Sequence, residues 1–318
     1  MNEKNFYDRL RPLTFEEYPG QDKVCEHLKI YTQAALLRDK PLDHCLLHGP
    51  PGLGKTTLAG IIAQALNMPL RSTSGAIIEK VSDIVGILVN LEPGTILFID
   101  EIHRVPRNVE EILYLAMEDY IVDVMVGQGL SARNMRMDLV PFTLIGATTQ
   151  PSRLSAPLRD RFGIVEHLEY YNAQSLDLII QRNSLLLGME ISSDASHLLS
   201  HRSRGTPRIA NSLLKRIMDF ALVKDKKRID ISIVEEALLA MEIDHYGLSK
   251  KDRMILQTIE NRFKGGPVGI DSLAATLNEE PSTLEDIYEP YLIFSGYLQR
   301  TSRGRMLSDL GKSVLENR

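Results

Sequence analysis

Three short runs in the first half of the chain are almost continuously apolar. They are Cys45–His48, Ile96–Asp100 and Thr143–Ala147, and each reads as a buried strand. Between them apolar positions recur every three or four residues, as in Lys55–Leu66 and Val109–Met117. That spacing puts them on one face of a helix. Buried strands alternating with amphipathic helices predict a parallel sheet covered by helices. After Arg161 the strand pattern stops, and from Ala173 to Glu242 the pattern is helical throughout, with turns at Gly188 and Gly205. A last segment shows helical spacing over Lys250–Phe263, Asp271–Leu277 and Thr283–Phe294. Two β-like pieces come next, Tyr297–Arg300 and Arg305–Leu307, joined by Thr301-Ser-Arg-Gly304. Three helices and a hairpin outline a winged helix. The expected division is an α/β domain over 1–171, a helical domain over 172–243 and a winged helix over 244–318.

Composition narrows the class. With 43% hydrophobic and 25% charged residues in 318, the chain is neither disordered nor fibrous. The formal net charge of −5 means that any nucleic-acid contact comes from a local basic patch. Cys25 and Cys45 fit no ligand spacing and read as buried thiols. No apolar run is long enough for a membrane span, and the first residues lack an apolar signal region, so a cytoplasmic location is expected.

The chemistry starts at Gly49-Pro-Pro-Gly52-Leu-Gly54-Lys55-Thr56, which fits G-x-x-x-x-G-K-[ST] with a strand before it and a helix after it. Glycines there let backbone N–H groups wrap phosphates, and the helix start adds its positive end. Lys55 is placed for the β- and γ-phosphates of ATP, and the Thr56 hydroxyl for Mg²⁺. The strand Ile96–Asp100 ends in two carboxylates, Asp100 and Glu101. Asp100 suits the Mg²⁺ shell, and Glu101 suits orienting an attacking water. The strand Thr143–Ala147 leads into two hydroxyls, Thr148 and Thr149, either of which suits contact with the γ-phosphate or the water. Arg159 and Arg161 flank Asp160, so they serve equally as a surface ion pair or as the cation that a neighbouring subunit brings to phosphoryl transfer. Gly205-Thr-Pro-Arg208 opens a helix, with Thr206 as N-cap and Pro207 at the first helical position. Arg208 is then placed to close onto the γ-phosphate.

At the other end, Arg300, Arg303 and Arg305 share one tight hairpin with no acid among them. The helix before it carries Glu285, Asp286 and Glu289, which phosphates repel. The wing, rather than that helix, is therefore the expected DNA contact, gripping backbone without reading bases. A further hairpin is expected over 121–139, with β-branched flanks, a Gly127-Gln-Gly129 centre and methionines that suit an apolar partner.

In their order these pieces resemble the RuvB family of AAA+ branch-migration motors over nearly the whole chain. The resemblance is carried by Leu10-Arg11-Pro, Asp43-His44 with the phosphate loop, Phe98-Ile-Asp-Glu-Ile-His-Arg104, Ile145-Gly-Ala-Thr-Thr149, Pro157-Leu-Arg-Asp-Arg-Phe-Gly163, Gly205-Thr-Pro-Arg208, Glu289-Pro-Tyr-Leu292 and Gly296–Arg305. It implies an AAA+ core, a helical lid and a winged-helix head. Lys55, Thr56 and Thr57, with Gly52 and Gly54, would hold ATP, and Leu10, Arg11, Glu118, Asp119, Tyr120 and Tyr171 would assist. Thr148 or Thr149 would be the sensor, Arg161 rather than Arg159 the finger acting in trans, and Arg208 the lid sensor. Arg300 and Arg305 would touch DNA. The implied assembly is a homohexameric ring on duplex DNA at Holliday junctions, docked on RuvA through the 121–139 hairpin and linked indirectly to the RuvC resolvase. A clamp-loader-like switch is the alternative. The chain departs from the family's usual residues at Gln128 and at Gln150–Ser155.

Overall fold

The computed structural model describes residues 9–126 and 133–316 and divides into two compact units, Met1–Ser175 and Leu176–Arg318. In the first, α1 (Asp22–Arg38) precedes β1 (Cys45–His48), α2 (Lys55–Ala65), β2 (Leu70–Ser74), α3 (Val81–Leu88), β3 (Ile96–Asp100) and α4 (Arg107–Asp119). A hairpin of β4 (Ile121–Val126) and β5 (Arg133–Asp138) comes next, then β6 (Thr143–Thr148), α5 (Ala156–Arg159) and β7 (Ile164–His167). The sheet is parallel with order β2-β3-β6-β1-β7. Helices cover both faces, so the central strands are buried on both sides and lack polar alternation: Leu97, Phe98, Leu144 and Ile145 are all sealed from solvent. Each such side chain contributes about 1.5–3 kcal/mol by leaving water.

Two strands depart from the sequence expectation. Edge strand β2 reads Leu-Arg-Ser-Thr-Ser and is largely exposed. Edge strand β7 lies beyond Arg161, where strands were expected to stop, and alternates buried Ile164 and Glu166 with exposed Val165 and His167. The amino-terminal end of the sheet is pinned by His44. Its Nδ1 accepts from the Leu144 N–H at 2.8 Å, so Nε2 carries the proton toward the Met117 carbonyl at 3.0 Å. Burial holds this imidazole below its ordinary range, keeping it neutral.

The second unit begins within α6 (Ala173–Leu186) and continues with β8 (Glu190–Ile191), α7 (Ser193–Arg202), α8 (Pro207–Val223), β9 (Arg228–Ile229) and α9 (Ile231–Ala240). The small β8–β9 ladder corrects the all-helical expectation for this stretch. Ser192 and Asp230 cap α7 and α9 with their side chains. Thr206 holds the N-cap position of α8, but its hydroxyl turns back to the Ser203 carbonyl at 3.5 Å and caps nothing.

The head belongs to the same unit: α10 (Lys250–Phe263), α11 (Ile270–Leu277), α12 (Pro281–Thr283), a π-helical turn (Leu284–Tyr288), α13 (Glu289–Phe294), the wing β10 (Leu298–Thr301) and β11 (Gly304–Leu307), and α14 (Asp309–Glu316). Leu256, Ile259, Leu273 and Leu292 anchor its core. A single antiparallel bridge, Val268 against Arg305, ties the wing to the segment between α10 and α11. Among the described residues no helix is long and apolar enough to cross a membrane. Cys25 and Cys45 are both buried and free.

Candidate functional site

The phosphate loop joins the end of β1 to the start of α2, and neighbouring segments fix its shape. Gly49 has φ of 141°, and a Cβ there would lie 2.3 Å from the Leu168 carbonyl oxygen. Gly54, at 102°, would drive a Cβ to 2.4 Å from the Tyr18 hydroxyl. Only glycine fits either position. Tyr18 donates to the Leu53 carbonyl at 3.0 Å, and the Tyr171 hydroxyl lies 2.9 Å from that of Tyr18 and 3.1 Å from the same carbonyl. Burial pushes both phenols up, so both remain protonated donors. Tyr171 thus braces the loop. Tyr18 does the same and was missed in the sequence, because a lone tyrosine upstream of a motif carries no spacing signal.

Lys55 is buried, and its ammonium donates to the Gly49 and Pro50 carbonyls at 2.8 and 2.9 Å. The loop therefore holds the cation inside its own curve. Thr56 and Thr57, half-buried, stand next in the first turn of α2. Beneath the loop His48 stacks on His167 with centroids 4.7 Å apart. Burial, then His167 and Lys55, hold the His48 imidazole below its ordinary range.

Asp100 ends β3 and accepts from the Glu101 N–H at 3.0 Å. Glu101 adopts φ of 49°, a left-handed turn that lifts its carboxylate off the strand line. One carboxylate oxygen, Oε2, accepts from the Thr149 hydroxyl at 3.3 Å and lies 3.2 Å from His103 Nδ1. The same His103 nitrogen is 2.8 Å from the Thr148 hydroxyl, which also accepts the Gln150 N–H at 2.9 Å. The two threonines thus make different contacts: Thr149 donates to the carboxylate, and Thr148 is fully buried against His103. The departing stretch from Gln150 contributes a backbone group here. His103 is a second missed residue. It lies inside the Phe98–Arg104 motif, but nothing in the sequence shows that its ring turns inward.

Arg161 lies apart from this cluster. It pairs with Glu118 at 2.5 Å and sits 5.9 Å from the Tyr114 ring centre, with the guanidinium side chain 40% exposed. Glu118 and Asp119 occupy the last turn of α4, and Tyr120 packs on Phe142 and His44, the residues that lead into β6 and β1. The phosphate loop leaves from the opposite end of β1. Arg161, Glu118, Asp119 and Tyr120 are therefore at the far end of the sheet from the loop in the same chain. Arg159 is exposed, Leu10 is buried and Arg11 is exposed. Arg208 is the second residue of α8, exposed, in the other unit.

On the wing, Arg300 and Arg303 are exposed, Arg300 pairing with Glu285 at 3.2 Å. Arg305, expected to face DNA, is instead 6% exposed. Its Nε donates to both Glu289 oxygens at 3.1 and 3.2 Å, one terminal nitrogen reaches Glu289 at 2.8 Å, and the same nitrogen reaches Glu285 at 2.5 Å. The acids of the preceding helix that repel phosphate are the ones that draw Arg305 inward. In the core hairpin, Met135 is exposed, Val122 is buried, and Arg136 pairs with Asp123 at 3.0 Å. Its expected centre, Gly127-Gln128-Gly129, lies outside the described residues.

Three family models match along the chain: the P-loop domain of the Holliday junction DNA helicase RuvB over 10–168, the RuvB AAA lid domain over 171–244 and the RuvB C-terminal winged helix domain over 245–316. The structure is similar to that of the Thermotoga maritima RuvB Holliday junction branch migration motor, with TM-score 0.88 and 45% identity, over 97% of this chain and 98% of that one. A point variant of the same Thermotoga maritima protein superposes with TM-score 0.89 at 45% identity, over 96% of this chain and 98% of that one. With family models matched from residue 10 to 316 and 45% identity over nearly the full length, the chain belongs to the RuvB family of P-loop ATPases.

Proposed function

We propose that the chain is an ATP-driven motor for branch migration of Holliday junctions, working as a homohexameric ring with RuvA and, through the shared junction, with RuvC. The observation that carries the reading is the split site: phosphate loop, Asp100, Glu101 and Thr149 at one end of the sheet, and Arg161 with Glu118, Asp119 and Tyr120 at the other. Such a chain completes a hydrolysis site only against a neighbour.

In this reading Lys55 leaves the loop carbonyls for the β- and γ-phosphates, joined by Thr57 and the N–H groups from Gly52 to Thr56. Glu101 orients the attacking water and draws its proton, while Thr149 fixes the carboxylate and Thr148 senses the γ-phosphate through His103. Leu10, Arg11 and Tyr171 shape the nucleotide pocket, and Arg208 serves as the lid contact. Thr56 and Asp100 supply the hard oxygen donors that Mg²⁺ takes beside phosphate and water. When bound, Mg²⁺ offsets charge on the phosphates. Met135 marks the hairpin face offered to RuvA. The direct test is migration of a synthetic four-way junction with ATP, with and without RuvA. No migration in either case would refute the motor, and ATP-dependent clamping without continuous translocation would favour a clamp-loader-like switch.

Arg161→Ala and Lys55→Ala subunits are expected to hydrolyse ATP poorly alone, whereas mixing them restores part of the activity, because some interfaces pair an intact loop with an intact arginine. A mixture no more active than its components would count against action in trans. On the wing, Arg300→Ala and Arg303→Ala should each lower the slope of log affinity against log salt by about 0.9, the value of one duplex phosphate contact. Fluorescence anisotropy with unrelated duplexes reads this, and a sequence-dependent change in affinity would contradict a backbone grip.

A further inference from the structure

The turn that opens α8 carries Arg204 and Arg208. Under the proposed function Arg208 answers to the nucleotide, and the role inferred here for Arg204 rests on that reading. Arg204 stands in the left-handed region at φ 51°, uncommon for a residue with a side chain, and Gly205 comes next at 66°. The turn is fixed from within: the Thr206 N–H donates to the Ser203 carbonyl at 3.0 Å, and the Ser203 hydroxyl to the Leu199 carbonyl at 2.7 Å.

The Arg204 guanidinium is anchored in the head. Nε donates to the Gly247 carbonyl at 3.0 Å, and the two terminal nitrogens face the two oxygens of Asp252. Asp252 is fully buried and caps α10 in a reciprocal pair with Ser249. The guanidinium carbon also lies 5.0 Å from the centre of the Tyr291 ring. Tyr291 belongs to α13, and two residues earlier in that helix Glu289 holds Arg305 of the wing. Three links in series thus join the start of α8 to β11: Arg204 on Tyr291, α13 itself, and Glu289 on Arg305.

We infer that Arg204 is a positioning residue that makes lid and head move as one body, so that a change at Arg208 is delivered to the wing and to the DNA it grips. A planar fork suits this task, because paired hydrogen bonds and ring stacking fix orientation as well as distance. An interdomain joint without such a lock swivels by default.

The experiment measures ATP hydrolysed and four-way junction migrated in the same reaction, for full-length wild type, Arg204→Gln, Arg204→Lys and Tyr291→Leu, with melting curves for each. Arg204→Gln is expected to keep DNA-free ATP turnover near wild type while product per ATP falls about tenfold, within the usual range of a coupling between sites. Tyr291→Leu shows a smaller loss, and Arg204→Lys, which keeps the charge without the fork, recovers part of it. Product per ATP unchanged in Arg204→Gln, or falling only as turnover falls, would overturn the assignment. Should Arg204→Gln melt early, the other two variants carry the comparison. Dyes on Glu235→Cys and Asn261→Cys provide a reading that needs no change at the joint, since Cys25 and Cys45 are buried. The dye separation is expected to be equal with ADP and with a slowly hydrolysed ATP analogue; a shift between them also overturns the inference. A wild type that fails to migrate junctions would instead refute the motor itself.

Discussion

Glu101→Gln is expected to lower steady-state ATP turnover by roughly 10²–10⁴-fold, the contribution of a positioned general base. Nucleotide affinity should change little. The amide keeps an oxygen to accept the Thr149 hydroxyl, which now lies 3.3 Å from the carboxylate, so the local arrangement survives and only the charge is lost. Lys55 and the phosphate loop sit on other elements and are untouched. A turnover assay paired with binding of a fluorescent nucleotide measures both quantities. Turnover within a few fold of wild type would move the water-orienting role away from Glu101. Affinity falling together with turnover would make Glu101 a structural residue of the loop.

The second large effect is expected at Arg305. Glu289 is 6% exposed and takes three hydrogen bonds from that guanidinium. Arg305→Ala strands its charge, and breaking a buried pair from one side costs about 3–5 kcal/mol. The double variant Arg305→Met with Glu289→Leu removes both charges and should recover most of that loss. Arg300→Ala serves as the contrast. Its pair with Glu285 is largely exposed, and such pairs contribute about 0–1 kcal/mol, so it should weaken DNA binding while leaving the fold alone. Amide exchange at Val268 and Arg305, whose N–H groups bond each other's carbonyls at 2.8 Å, reports the opening of the head. If Arg305→Ala lost DNA affinity with exchange protection intact, the arginine would be a DNA contact after all.

Legibility in the sequence depends on how each element is buried. The central strands were legible because helices cover both faces, which forces the unbroken apolar runs of β1, β3 and β6. Edge strands β2 and β7 were not, because one is nearly all polar and the other alternates over only four residues. The phosphate loop was legible because its chemistry constrains several positions at fixed spacing. Tyr18 and His103 were not, because each acts through a contact made by the fold, across 35 and 45 residues of chain. Arg305 shows the same limit. Three arginines on one hairpin look alike in sequence, yet β-strand alternation turns one inward, and two glutamates 16 and 20 residues earlier hold it there.

The placement of Arg161 at the far end of the sheet from Lys55 would give each defect a direction around the proposed ring. In such a ring, loss of Lys55 would silence the subunit interface on one side of a chain, and loss of Arg161 the interface on the other. A chain lacking both would therefore poison two neighbours at once. A ring that alternates such chains with intact ones would have no working interface anywhere, although half of its subunits carried every residue the chemistry needs.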